Sequence, residues 1–260
     1  MRVALCQITS TPDPAANLKE VEAGVRAAAS SGARVVLFPE ATMACFGVPL
    51  TPLAEPLSGP WAAAVRGVAD EHDVVVVAGM FTPAPDGRVH NTTLITGRDR
   101  HVGYDKIHLF DAFGFTESRT VAPGSTPMTF TVDDTVFGIA TCYDVRFPEL
   151  FTRLASAGAT AILLGASWGA GEGKREQWEL LVRARALDST CWLLACAQAD
   201  PGTPDPKAPT GIGYTTVATP TGAVHAQLGP TPDMLTVDVD AGLVTATRET
   251  IPVLANRRLS

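Results

Sequence analysis

The chain has 260 residues, 46% of them apolar and 18% charged, so it can bury a sizeable core and lacks the composition of a disordered chain. Its 20 basic and 27 acidic residues give a net charge of −7 with no separate Lys/Arg cluster, which argues against long-range attraction to nucleic acid. Five cysteines, at positions 6, 45, 142, 191 and 196, form no C-x-x-C pair, and no apolar run reaches the roughly 18 residues of a membrane span. A soluble, cytoplasmic protein without nucleic-acid or membrane partners is expected.

In chain order, Val3–Ile8 reads as a first strand, followed by a helix over Pro14–Ser30, where Leu18, Val21, Val25 and Ala28 recur at helical spacing. Arg34–Phe38 is a second strand, Trp61–Glu71 a helix, and Val74–Phe81 a Val-rich strand buried on both faces. Asn91–Thr96 and Val102–Tyr104 flank a hairpin turn at Gly97–Arg100. Strands at Met128–Val132, Val136–Thr141 and Ala161–Leu164 then alternate with helices at Pro148–Ala157 and Glu176–Asp188, and Trp192–Ala197 is another buried strand. Pro201–Pro209 reads as a surface loop, and strands resume at Gly213–Ala218, Val224–Leu228 and Met234–Val239. Nothing divides the chain, so one domain over residues 1–260 is expected.

No phosphate-cradling glycine loop, His pair at metal-ligand spacing or G-x-S-x-G elbow occurs, and no metal or cofactor is expected. Three polar residues do stand at predicted strand ends, where α/β proteins assemble sites: Glu40, Lys106 and Cys142. Pro148 can open a helix shortly after Cys142, which puts this thiol on a tight turn, exposed and close to amide donors that favour thiolate. Taken singly, each has an ordinary reading: a buried small hydrophobe for Cys142, a helix cap for Glu40, a solvated hairpin charge for Lys106. Cys6, Cys191 and Cys196 sit in apolar strands and read as core.

The segments Leu37-Phe38-Pro39-Glu40, Tyr104-Asp105-Lys106-Ile107-His108-Leu109-Phe110 and Thr141-Cys142-Tyr143-Asp144-Val145-Arg146-Phe147-Pro148-Glu149-Leu150 together resemble the carbon-nitrogen hydrolases of the nitrilase superfamily. The resemblance extends through Gln177-Trp178-Glu179-Leu180-Leu181 to Gly213-Tyr214-Thr215-Thr216, nearly the whole chain. It implies a four-layer α-β-β-α sandwich, two mixed sheets face to face with helices outside. It also implies a homodimer or larger homo-oligomer, with Pro148–Ala157 and Glu176–Asp188 as interface candidates whose apolar stripes could equally face the core.

The resemblance further implies a Glu-Lys-Cys triad. Glu40 would be the general base, Cys142 the nucleophile, and Lys106 with the Tyr143 backbone N–H the oxyanion donors, Tyr143 thereby contacting substrate. Glu117 matches a second acidic residue that orients lysine and substrate; otherwise it is a loop charge. Arg146 stands where family members acting on acid-bearing substrates place a carboxylate-gripping Arg, and would otherwise pair with Asp144 or Glu149. Trp168 either lines the pocket or belongs to the core. The motifs look most like the ω-amidase and deaminated-glutathione-amidase branch, whose small-molecule substrates are acid-bearing amides. Tyr143, where nitrilases commonly carry Trp, disfavours nitriles. An N-carbamoyl amino acid hydrolase and a non-catalytic scaffold are the alternatives.

Overall fold

The computed structural model describes residues 1–202 and 211–258. From residue 203 onward, the loop expected at Pro201–Pro209 lies outside the described residues.

The first sheet is built on three parallel strands, β1 (Arg2–Gln7), β2 (Val35–Leu37) and β3 (Val75–Pro83). It is extended by the antiparallel strands β4 (Val89–Gly97) and β5 (Arg100–Asp105) on one side and β12 (Asp233–Asp238) on the other. Between β4 and β5, Arg98 and Asp99 both have positive φ, 51° and 65°. Two such residues give a two-residue turn the twist that suits a hairpin. The second sheet repeats the plan: β7 (Thr135–Thr141), β8 (Ala161–Ala166) and β9 (Trp192–Ala197) are parallel. Antiparallel β6 (Thr129–Val132), β10 (Thr216–Ala218) and β11 (Val224–Gln227) complete it.

Strand periodicity accounts for the layering. Alternate residues Val35, Leu37, Val75 and Val77 meet Phe137, Ile139, Leu163 and Leu194 between the sheets. The intervening Val36, Phe38, Val76 and Ala78 turn outward onto helices α1 (Pro14–Ser30) and α2 (Pro60–Glu71), through Val21, Val25, Trp61 and Val65. On the far side, Ala140, Ile162, Leu164 and Leu193 pack on α3 (Pro148–Ser156) and α4 (Lys174–Ser189). The result is an α-β-β-α sandwich. Its helices start where local chemistry dictates: α1 has Pro14 at its start and Asp13 accepting the Ala15 N–H, while α2 and α3 also open on proline.

Two elements differ from the sequence reading. The strand expected from Gly213 begins only at Thr216, because Gly213 and Tyr214 have φ of 75° and 58°, incompatible with extended backbone. Helix α5 (Ala241–Thr250), capped by Asp240, was not expected; it buries only Val244 and Thr247, too few apolar positions to mark a helical face. A short helix, α6 (Val253–Asn256), follows it.

Candidate active site

Glu40, Lys106 and Cys142 each follow a strand, β2, β5 and β7 respectively, and their side chains are all buried. Glu40 reaches this position because its backbone passes between the sheets against two glycines. A Cβ on Gly79 of β3 would lie 2.4 Å from the Ala41 nitrogen, and one on Gly165 of β8 would lie 3.0 Å from the Glu40 nitrogen. Only residues without side chains admit so close an approach.

Lys106 joins two carboxylates. Its Nζ donates to Glu40 Oε1 at 2.9 Å and to Glu117 Oε1 and Oε2 at 3.1 and 2.9 Å. Burial alone would discharge the ammonium, but Glu40 and Glu117 outweigh it and hold the pKa well above the usual lysine range. Glu117 therefore is no solvated loop charge. It also accepts the Phe110 N–H at 2.6 Å, which ties the segment after β5 to the site. Glu40 Oε2 accepts the Ser167 N–H at 2.9 Å.

Cys142 opens a 3₁₀ turn, Cys142–Arg146, with a positive φ of 46°. Asp144 holds that turn: it accepts the Thr141 N–H at 2.9 Å, the Tyr104 hydroxyl at 2.7 Å and the His108 N–H at 3.0 Å, and contacts His108 Nδ1 at 2.7 Å. One buried carboxylate thus couples the strand end carrying Cys142 to the one carrying Lys106. The expectation of an exposed thiol with thiolate character is corrected. Cys142 is 8% exposed, and burial, with Glu40 close enough to hydrogen bond it, pushes the thiol well above its ordinary pKa against the opposing pull of Lys106. Burial and Glu40 together thus favour the protonated form of this sulfur.

The cavity over these groups has a volume of about 80 Å³. Glu40, Lys106, Glu117 and Cys142 line it together with Tyr143, Ser167, Trp168 and a wall formed by Phe46, Phe110 and Phe115. Trp168 both lines the cavity and packs in the core under α3 and α4. Arg146 pairs with neither Asp144 nor Glu149 among the described residues. Its Nη2 donates to Gln177 Oε1 at 2.6 Å, its guanidinium lies 5.2 Å from the Trp168 ring centre, and it is not among the residues lining the cavity. Two residues that the sequence did not single out belong to the site. Asn91 on β4 donates to both Glu40 and Glu117, and Lys174, the first residue of α4, lines the cavity. The one sequence signal for Asn91 is an amide inside a strand of apolar residues and threonines, with His90 beside it.

Four layers, with an ammonium, a carboxylate and a thiol gathered at strand ends and the Glu117 carboxylate beside them, place this protein among the nitrilase-like enzymes. The carbon-nitrogen hydrolase family matches residues 2–249, so the chain belongs to that family. Hydrolase Rv0480c of Mycobacterium tuberculosis is 52% identical over 99% of this chain and 95% of its own length. Omega-amidase NIT2 of Mus musculus is 31% identical over 99% of this chain and 95% of its own. Saccharomyces cerevisiae Nit3, a member of branch 10 of the nitrilase superfamily, superposes with a TM-score of 0.87 at 24% identity, covering 100% of this chain and 97% of the yeast chain. The chain thus resembles the omega-amidase branch, and no helix among its described residues is long and apolar enough to cross a membrane.

Proposed function

We propose that the protein hydrolyses small carboxylate-bearing amides to the acid and ammonia through a thioester on Cys142, as the name of its omega-amidase relatives suggests. The observation that carries this reading is the contact of one carboxylate, Glu40, with both the ammonium of Lys106 and the thiol of Cys142 in one cavity walled by Phe46, Phe110 and Phe115.

Glu40 Oε1 accepts from both Asn91 and Lys106, whereas among the described residues Oε2 accepts only the Ser167 N–H, so Oε2 keeps the lone pair that takes the thiol proton as sulfur attacks the amide carbon. The S–C bond forms and the carbonyl π pair moves to oxygen, where the Lys106 ammonium and the Tyr143 N–H receive it. Such a donor contributes about 3–4 kcal/mol to transition-state stabilisation. As the tetrahedral centre collapses, the C–N bond breaks and the nitrogen takes the proton from Glu40, leaving as ammonia. Water then gives a proton to Glu40 and attacks the thioester, and the returning thiol takes that proton back. Glu117 keeps Lys106 in place, and Trp168 forms a cavity wall.

Intact-mass analysis of protein exposed to keto-acid, dicarboxylate and aliphatic amides tests the reading. An acyl adduct on Cys142, lost in Cys142→Ala, is expected, with ammonia as co-product. Carbon dioxide released alongside ammonia would identify a carbamoylase, and no adduct with any amide would leave a scaffold.

We further propose that the enzyme works as a homodimer across α3 and α4, in the reducing cytoplasm that its five free cysteines suit.

A further inference from the structure

We propose that Lys174, and not Arg146, is the cation that receives the distal carboxylate of an acid-bearing substrate and thereby sets the preference for such amides. This rests on the amidase reading above and adds to it the group that selects the substrate. The first observation is position. Lys174 lines the cavity that holds Cys142, whereas Arg146 is not among its lining residues and is engaged by Gln177.

The second is an unmatched charge. Lys106, the other cation lining the cavity, is already held by two carboxylates, while Lys174 has no carboxylate within ion-pair distance among the described residues. Its ammonium sits among ring faces, 3.6 Å from the centre of Phe113, 5.6 Å from Phe110 and 5.9 Å from Trp168. Cation–π contact compensates such a charge only in part. Burial and the nearby Arg146 push the Lys174 pKa down, and the attraction of an arriving anion opposes both.

The third is the backbone. Lys174 is the first residue of a 16-residue helix whose Gly173 cap has no side-chain acceptor, so the helix adds positive potential where the ammonium already stands. Trp168 Nε1 donates to the Lys174 carbonyl at 2.8 Å and fixes this helix start to the cavity wall. An amide bound at Cys142 with its carboxylate directed to Lys174 lies between two groups that line the same cavity. An uncharged amide of the same length leaves the ammonium among the rings.

The experiment compares a monoamide of a five-carbon dicarboxylic acid with the uncharged alkanamide of equal length, in wild type, Lys174→Met, Lys174→Arg and Arg146→Met. The ratio of kcat/KM for acid over neutral amide is expected to fall at least about 30-fold in Lys174→Met, through KM, and to recover in Lys174→Arg. Calorimetric titration of Cys142→Ala with the acid amide, with and without Lys174→Met, reads the same loss as binding. Parallel loss on both amides, no change in the ratio, or collapse of the ratio in Arg146→Met alone would each overturn the assignment. Acyl-Cys142 formed only from neutral amides would leave the amidase standing without its acid preference and remove Lys174 from the role. No acyl adduct from any amide would overturn both.

Discussion

Asn91 Nδ2 donates to Glu40 Oε1 at 2.8 Å, and the same amide nitrogen reaches Glu117 Oε1 at 3.2 Å. Two buried carboxylates would repel each other, and Lys106 alone supplies one positive charge against them. The Asn91 amide adds a donor to both without adding charge. Asn91→Asp puts a third acid into this cluster and is expected to lower kcat/KM by about 100-fold or more. Asn91→Ala, which only removes the donor, is expected to cost about 1–3 kcal/mol of stability by denaturant unfolding. Equal activity in Asn91→Asp and wild type would show that the carboxylates need no such bridge.

The thiol of Cys142 is raised first by burial and second by Glu40, with Lys106 pulling the other way. Neutralising Glu40 therefore has two opposite consequences. In Glu40→Gln, the pH midpoint for alkylation of Cys142 by iodoacetamide is expected to move down, since a source of negative potential is gone. Amide hydrolysis is expected to fall by about 10³-fold or more, because no base remains to take and return the proton. A midpoint that moves up, or an active Glu40→Gln, would contradict the proposed geometry of proton transfer.

Gly79 tests the folding of Glu40 into place. Its missing side chain leaves room for the Ala41 nitrogen, which a Cβ would approach to 2.4 Å. Backbone cannot swing aside as a side chain tip can. Gly79→Ala is expected to lose about 3 kcal/mol or more in denaturant unfolding and to lose activity in the fraction that folds. By contrast, Gly67→Ala on α2, where a Cβ meets nothing within 4 Å, is expected to raise stability by about 0.5–1 kcal/mol.

What could be read in the sequence was whatever periodicity or strand punctuation exposes. The continuous Val74–Val77 run reveals a strand covered on both faces, and polar residues directly after apolar runs reveal Glu40, Lys106 and Cys142. Asn91 escaped because its neighbours Thr92 and Thr93 make it read as one polar position among several in β4. Lys174 escaped because a lysine after a glycine-rich stretch reads as solvated, and only the return of α4 toward the Cys142 turn brings it over the cavity. The height of the Cys142 thiol pKa was equally hidden, since it depends on burial and on a carboxylate about 100 residues away in the chain.

Asp144 is expected to be a positioning residue. It is fully buried and holds Tyr104, the backbone of His108 and the backbone of Thr141, and the His108 ring stacks on Phe147 with centroids 3.7 Å apart. Asp144→Asn keeps the shape but replaces an acceptor by a donor facing N–H groups. A fall of about 10-fold or more in kcat with little change in KM is expected, together with lost stability of about 2 kcal/mol or more. Tyr104→Phe, which removes one of the donors, should reproduce a smaller share of both effects. An Asp144→Asn enzyme with wild-type kcat would show that the turn holds Cys142 without this carboxylate.

The outer face of α4 yields the last prediction. Leu180 and Leu187 are 65% and 44% exposed there, an apolar presentation unfavourable for a helix facing water. On the same helix Arg185 is buried and bonded through Nη2 to Asp188 at 3.1 Å, while its Nε and Nη1 have no hydrogen-bond acceptor among the described residues. Burial also lowers the pKa of this guanidinium, although Asp188 and Glu149 pull it the other way. A second copy of the chain packed against α3 and α4 would cover the leucines and bring carbonyls or carboxylates to Arg185. Light scattering is expected to give twice 27.2 kDa for wild type, and Leu180→Glu with Leu187→Glu to shift the protein to monomer at micromolar concentration. A wild-type mass of 27.2 kDa would mean that Arg185 is left short of acceptors for some reason other than a missing subunit.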